Sequence, residues 1–314
     1  MSFEWKYKRI YWKIRKFMDV HMGIHHHNGK YYDKKILSIQ ETNEQLEKLI
    51  LSGKPFAAGR IGGTELKAMI ACHPEEKKKT TQKESARSLL ICLSGFYGDM
   101  EQFDQFNDCM QKSLQEMDLI GVWFNQMEDY MIKHHGKDDV ICGRLEGLEP
   151  WYCKDAPWSR SLKGKKIVCI HPFKDSILMQ YEKREKLFPG TDILPEFQLR
   201  CVKAVQSLAN CPDSRFPSWF DALDYMYEET MKEDFDIALI ACGAYGLPLA
   251  ARIKEAGKQA VHVGGALQLL FGVKGRRWDD FSQLKDIYND AWSYPLDCDH
   301  LKQGSEIVEN KCYW

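Results

Sequence analysis

Residues 235–265 read FDIALIACGAYGLPLAARIKEAGKQAVHVGG. Ile237 to Ala241 is an unbroken aliphatic run between an aspartate and a glycine turn, the pattern of a strand buried on both faces. Gly243 to Gly246 is a turn, and Leu247 to Ala256 follows at helical spacing. Pro248 lies in that helix's first turn and Gly257 just past its end, the normal asymmetry of helix termini. Ala260 to Val263 is the next strand, closed by Gly264-Gly265.

The same alternation extends outward. Ile167 to Ile170 reads as a buried strand ending in His171-Pro172-Phe173, with a helix over about Ser176–Leu187. Ser218 and Asp221 open another helix carrying Trp219, Phe220, Leu223 and Met226. Nearer the start, Ile36 to Ile39 is a short strand. Thr42 and Gln45 have capping-box spacing for a helix to about Leu51, and Gly53 ends it. Pro55 to Ala58 is a strand, Gly59 to Gly63 a turn, and Thr64 to Ala71 a helix. Leu89, Leu90, Leu93, Phe96, Leu114, Met117, Ile120, Trp123, Phe124 and Met127 recur at three and four, which predicts a helical insertion over about 73–137. Its polar stretch, Glu75 to Ser85, reads as a loop containing Lys77, Lys78 and Lys79. Val140 to Cys142 reads as one more strand. Strands alternating with helices predict one α/β domain over 36–314, a mostly parallel sheet covered on both faces.

Composition supports a folded chain: 314 residues, 44% hydrophobic. A net charge of −1 and a pI near 6.8 give no basic excess for nucleic acid. The 11 cysteines are odd in number and form no C-x-x-C pair, so zinc and redox motifs are absent. The expected setting is a reducing cytoplasm, with most thiols buried as small apolar groups. No run reaches the ~18 apolar residues of a membrane span. Residues 1–35 form an N-terminal helix and connector. Phe3, Tyr7, Ile10, Tyr11, Ile14, Phe17 and Met18 lie among Lys6, Lys8, Arg9, Lys13, Arg15 and Lys16. Such a helix either lies on an anionic membrane face or packs on the domain or a partner. His21, His25, His26 and His27 read as a solvated connector, or as a loose metal site without acidic or Cys partners.

In parallel sheets, ligands bind in the loops after the strands. The first such loop is Arg60-Ile61-Gly62-Gly63-Thr64-Glu65. Its glycines let a ligand approach the backbone, and the following helix start favours an anion. Arg60 can grip a phosphate in bidentate fashion. Glu65 either offsets the helix dipole or serves as metal ligand, hydroxyl acceptor or general base. The second loop is Cys242-Gly243-Ala244-Tyr245-Gly246, where Tyr245 either stacks on a base or covers the core. In the third, His171 can donate to a phosphate oxygen whether neutral or protonated. Lys274, Arg276 and Arg277 follow the Gly264-Gly265 turn and form either a diphosphate-neutralising group or a solvated surface. Trp278, Trp292 and Cys312-Tyr313-Trp314 are either core or an acceptor cleft.

The order of these motifs over about 36–280 resembles bacterial glycosyltransferases of the GT-D fold, and uncharacterised proteins grouped with them. The resemblance implies a Rossmann-like core that binds a nucleoside-diphosphate sugar. It implies transfer of the sugar to a hydroxyl on a glycan or lipid-linked acceptor, in making surface or secreted glycans. The family's Arg-aromatic-Gly-Asp-x-Glu pattern falls on Arg60 to Glu65, with Gly63 in place of the Asp. The family's Gly-His falls on Gly264-Gly265. Two expected Mn²⁺ or Mg²⁺ ligands are therefore missing, and Arg60, His171 and the Lys274–Arg277 cations are left to neutralise the leaving diphosphate. Two other readings keep the same loops: a different phosphate-ligand enzyme, such as a nucleotide-sugar modifier or phosphohydrolase, and a non-catalytic nucleotide-sugar-binding or scaffold protein.

Overall fold

The computed structural model describes residues 3–22, 29–76, 80–208, 210–279, 281, 284 and 287–300. His25 to His27, Lys77 to Lys79 and Cys312 to Trp314 lie outside the described residues. The chain opens with α1 (Phe3–Met22), β1 (Lys30–Tyr31), β2 (Lys34–Leu37), α2 (Ile39–Leu51), β3 (Phe56–Gly59) and α3 (Gly63–Cys72). Then come α4 (Thr80–Ser94), α5 (Met100–Glu116), β4 (Leu119–Val122), α6 (Glu128–His135) and β5 (Ile141–Arg144). After three short 3-10 turns, β6 (Lys166–His171), α7 (Lys174–Tyr181), α8 (Arg184–Leu187) and β7 (Gln198–Lys203) follow. The last group is α9 (Trp219–Met231), β8 (Ile237–Ile240), α10 (Gly246–Glu255), β9 (Gln259–His262), α11 (Leu267–Leu270) and α12 (Arg276–Asp279).

The described strands form one nine-stranded sheet in the order β1-β2-β5-β4-β3-β9-β8-β6-β7. The β1–β2 pair is antiparallel, and the other pairs are parallel. The fold is Rossmann-like α/β. Alternate strand residues feed two cores. Ala57, Ile120, Val168 and Ile240 face one with α1, α3–α6, α9 and α10, while Phe56, Leu119, Cys169 and Leu239 face the other with α2, α7, α8 and α11. The two halves of the chain meet where β3 pairs with β9, Ala58 opposite Val261.

Three of these expectations need correction, and one strand was missed. The block over 73–137 is not all helical, because α5 stops at Glu116 and β4 enters the middle of the sheet. Leu119-Ile120-Gly121-Val122 is buried on both faces, so its apolar run mimics a buried helix. The capping box of α2 is Ser38–Glu41, not Thr42–Gln45. Thr42 lies within the helix, its hydroxyl donating to the Ser38 carbonyl at 2.6 Å. The helix expected over Ser176–Leu187 is split into α7 and α8. β7 gave no sequence signal, since as an edge strand it carries exposed Gln198, Arg200 and Lys203 around buried Cys201 and Val202.

Other expectations are resolved by packing. Cys72, Cys142, Cys153, Cys169, Cys201 and Cys242 are buried free thiols, while Cys298 is exposed. Trp278 and Trp292 are buried, and Trp292 Nε1 donates to the Leu187 carbonyl at 3.0 Å. Helix α1 packs on the domain through Trp5 and Trp12.

Candidate functional site

A cavity of about 300 Å³ opens at the carboxyl ends of β3, β4, β6, β8 and β9. That volume lies at the small end of ligand pockets. The three loops singled out in the sequence converge on it. Arg60, Gly62, Gly63, Thr64 and Glu65 line it from the first, Gly243 and Tyr245 from the second, and His171 from the third. Gly264, Gly265 and Arg277 complete the set. Ala244 and Gly246 are buried and do not line it, but they shape the turn. Lys274 and Arg276 do not line it either. The Lys274 ammonium sits 5.4 Å from the Tyr288 ring centre, and Arg276 is exposed on α12. A cationic run wrapped on a short helix presents only some of its charges to one side, so proximity in sequence did not translate into a shared site.

Arg60 crosses from β3 to β9. Its Nε donates to the Val263 carbonyl at 3.2 Å, and its guanidinium lies 4.5 Å from the Trp123 ring centre. Gly264 makes room for this. A Cβ there would sit 2.1 Å from an Arg60 nitrogen, and its backbone has φ +77°. The guanidinium is thus stacked and tethered, which fixes its direction before any anion arrives.

Glu65 stands in the first turn of α3 and is buried. Its carboxylate folds over Gly62, where a Cβ would come within 2.1 Å of Oε2. Thr64 Oγ1 donates to Glu65 Oε2 at 2.9 Å and lies 2.5 Å from Ser94 Oγ. Because the Thr64 proton goes to Glu65, the Ser94 hydroxyl is the donor to Thr64. Gly62 caps α3 without a side chain, so it leaves the first backbone N–H groups to other acceptors.

Two buried histidines line the cavity in opposite tautomers. His171 Nδ1 accepts from the Phe173 N–H at 2.9 Å, so its proton is on Nε2. His262 Nδ1 lies 3.2 Å from the Ile240 carbonyl and must donate, so its Nε2 holds a lone pair. Burial pushes His171 down to about 3, with Asp299 opposing weakly. Burial and then the charge of Arg60 push His262 to about 3. Both rings are neutral at pH 7. This narrows the earlier reading of His171, which allowed either protonation state. Burial also raises the Cys242 thiol well above its usual range, which makes it a poor nucleophile.

Tyr245 covers the core rather than waiting for a base. It stacks on Trp219 at 4.7 Å, and its hydroxyl lies 2.8 Å from Ser207 Oγ. Sequence reading missed His262, Trp123 and Lys67, all of which line the cavity. His262 had a usable signal: it ends a strand two residues before Gly264. Trp123 has none, because the strand before it has the spacing of a helix. Lys67 lies one helical turn after Gly63, a position that nothing in the sequence singles out.

The cavity offers a divalent ion few ligands. Among the described residues lining the cavity, Glu65 is the lone carboxylate, beside Arg60, Lys67 and Arg277. Hard ions such as Mg²⁺ or Mn²⁺ take several oxygen ligands. Among the described residues, Asp175, Cys298 and Asp299 are the group close enough to share an ion, and Glu65 is not part of it.

No protein-family model matches the chain, and no curated protein does. The fold is similar to a solved structure described as "The highly conserved domain of unknown function 1792 has a distinct glycosyltransferase fold", at 14% identity and TM-score 0.45. The match covers 86% of this chain and 94% of that one. A selenomethionine-substituted structure of domain of unknown function 1792 is similar at 13% identity and TM-score 0.43, with the same coverage. The likeness is distant and assigns no activity or residue role to this chain.

Proposed function

We propose that the protein transfers a sugar from a nucleoside-diphosphate sugar to an acceptor hydroxyl, without a divalent ion. The observation that carries this reading is the convergence on one cavity of Arg60, Lys67, Arg277, the start of α3 and the neutral His171. Cations and fixed N–H donors at strand ends suit a diphosphate. In the reaction they stabilise the charge that develops on the leaving diphosphate. Arg60 binds phosphate oxygens while its stacking on Trp123 holds it in place. His171 donates from Nε2, and being neutral it does not lose that proton to solvent near pH 7. Glu65, fixed by the Ser94–Thr64 relay, acts as general base toward the acceptor hydroxyl or holds a hydroxyl of the donor sugar. The motif order over residues 36–280 supports this reaction class, and the cations and donors lining the cavity support its chemistry.

The test is thermal denaturation with UDP-, GDP-, CMP- and dTDP-linked sugars, with and without Mn²⁺. One nucleotide family is expected to raise the melting temperature without metal, as any ligand of the folded state does. Arg60→Ala should abolish the rise. Glu65→Gln should keep it but lower transfer by about 10²–10⁴-fold. A rise that requires Mn²⁺ would refute the metal-free mechanism. No rise with any sugar nucleotide would remove the donor reading. Release of free phosphate or an altered donor sugar, with no transfer, would assign a different phosphate chemistry.

A further inference from the structure

Helix α1 has two unlike faces. At about 100° per residue, Trp5 and Trp12 fall on one side, and both are buried. Trp5 Nε1 donates to Glu76 at 3.1 Å, and Trp12 Nε1 donates to Asp129 at 2.8 Å. Lys8 and Arg9 pair with the same two carboxylates, at 2.6 and 3.4 Å. The opposite side, an arc of roughly 80°, carries Phe3, Tyr7, Ile10, Ile14 and Phe17, each more than half exposed. Lys6 and Lys13 run along one margin of that arc and are exposed. Arg15 lies beyond the other margin, its guanidinium donating to the Tyr11 hydroxyl at 3.1 Å.

We propose that α1 lays this outer stripe on an anionic membrane surface. Three observations favour a bilayer. First, the charge is complementary. Lys6, Lys13 and Lys16 are exposed on the helix, while Lys8 and Arg9 are paired with Asp129 and Glu76; its acidic residues are Glu4 and Asp19. A second copy packed on the stripe would bring the same basic margins together, whereas anionic headgroups neutralise them. Second, the helix is too polar to span; among the described residues no helix is long and apolar enough to cross a membrane. A helix of this kind lies in the interface with aromatic and aliphatic groups at the acyl boundary and lysines reaching to headgroups. Third, the two tryptophans already hold α1 folded on the domain. The conformational cost that an isolated surface helix meets on binding is therefore absent. A groove lined by Arg9, Trp12 and Lys16 also reaches Gly63 and Lys67, which line the cavity described above. That groove lies on the side of α1 turned away from the stripe, so the helix that carries the stripe stands beside the site.

The test is sedimentation of the full chain with vesicles of phosphatidylcholine alone and of phosphatidylcholine mixed with phosphatidylglycerol. The protein should sediment with the mixed vesicles and be released by high salt. Ile10→Glu/Ile14→Glu should weaken binding by at least about tenfold, with an unchanged melting temperature because both side chains are exposed. Lys6→Glu/Lys13→Glu should lose the preference for the anionic lipid. The proposal is overturned by absence of binding to either vesicle, or by equal binding of both variants and the parent. It is also overturned by a dimeric parent that Ile10→Glu/Ile14→Glu makes monomeric, which would make the occupant a second copy.

Discussion

The two ends of the sheet are built on opposite plans. At the amino ends of the strands, polar groups close on one another. Asp118, just before β4, accepts from the Ala57 N–H at 3.0 Å and from Lys137 at 2.6 Å, with Lys254 at 3.1 Å. Asp236, just before β8, accepts from the Lys166 N–H at 2.8 Å, and Lys166 itself pairs with Asp234. At the carboxyl ends, glycines replace side chains, and Arg60, Glu65, His171 and His262 gather round a cavity. The first arrangement holds strands in register. The second lines an open cavity. The same strands therefore carry closed polar pairing at one end and an open cavity at the other.

That separation can be broken. The largest stability change should come from Asp118→Ala, which removes an acceptor from one backbone N–H and two lysines. A loss of about 2–4 kcal/mol is expected in denaturant unfolding. The ligand-induced rise of the remaining folded protein should stay the same. Burial raises the Asp118 carboxyl, but Lys137, the Ala57 N–H and Lys254 outweigh it and hold it below its usual value. Its contribution is present above the ordinary carboxylate pKa and is lost as pH falls through the folded one. The gap between parent and variant should therefore narrow in acid. A gap that stays open, or ligand binding that falls with stability, would contradict the division between the two ends.

A smaller effect should mark the other end. His171 and His262 are held at about 3 against an ordinary 6.5, so the unfolded chain takes up their protons first. Stability should fall as pH drops from about 6.5 towards 3, by up to about 1.4 kcal/mol per pH unit for each ring. In His262→Gln that slope should be shallower, measured by melting temperature across the window. An unchanged slope would mean that His262 is charged in the fold. The smallest effect belongs to Arg276→Ala, expected within about 0.5 kcal/mol and without influence on the ligand-induced rise. Arg277→Ala, one residue on, should weaken that rise.

The sequence made the strand-ending loops legible for a specific reason. Runs such as Ile237–Ile240 are aliphatic, short and bounded by Asp and Gly, and no helix of that length would be so bounded. β4 failed the same test because Met117 and Trp123 flank it in helical step, and nothing in the residues marks where α5 ends. The start of α2 was ambiguous in a different way. Ser38–Glu41 and Thr42–Gln45 have the same spacing, and only the end of β2 at Leu37 decides between them. Within the site, Arg60 and Glu65 were readable from their glycine-rich loop. The tautomers of His171 and His262 were not, since each depends on one backbone group, Phe173 N–H or Ile240 C=O, brought close by the fold.

The pairing of β3 with β9 carries a consequence for how the molecule comes into being. Arg60 and the carbonyl it holds, at Val263, are 203 residues apart in the chain. During synthesis β3 therefore emerges long before the strand that flanks it in the finished sheet. Until β9 is made, one edge of a central strand stays open, and Arg60 has no Gly264 to lie across. Contacts of such long range form slowly, so the last step of folding and the first appearance of the cavity should coincide. A chain released before β9 would contain most of the helices and no cavity.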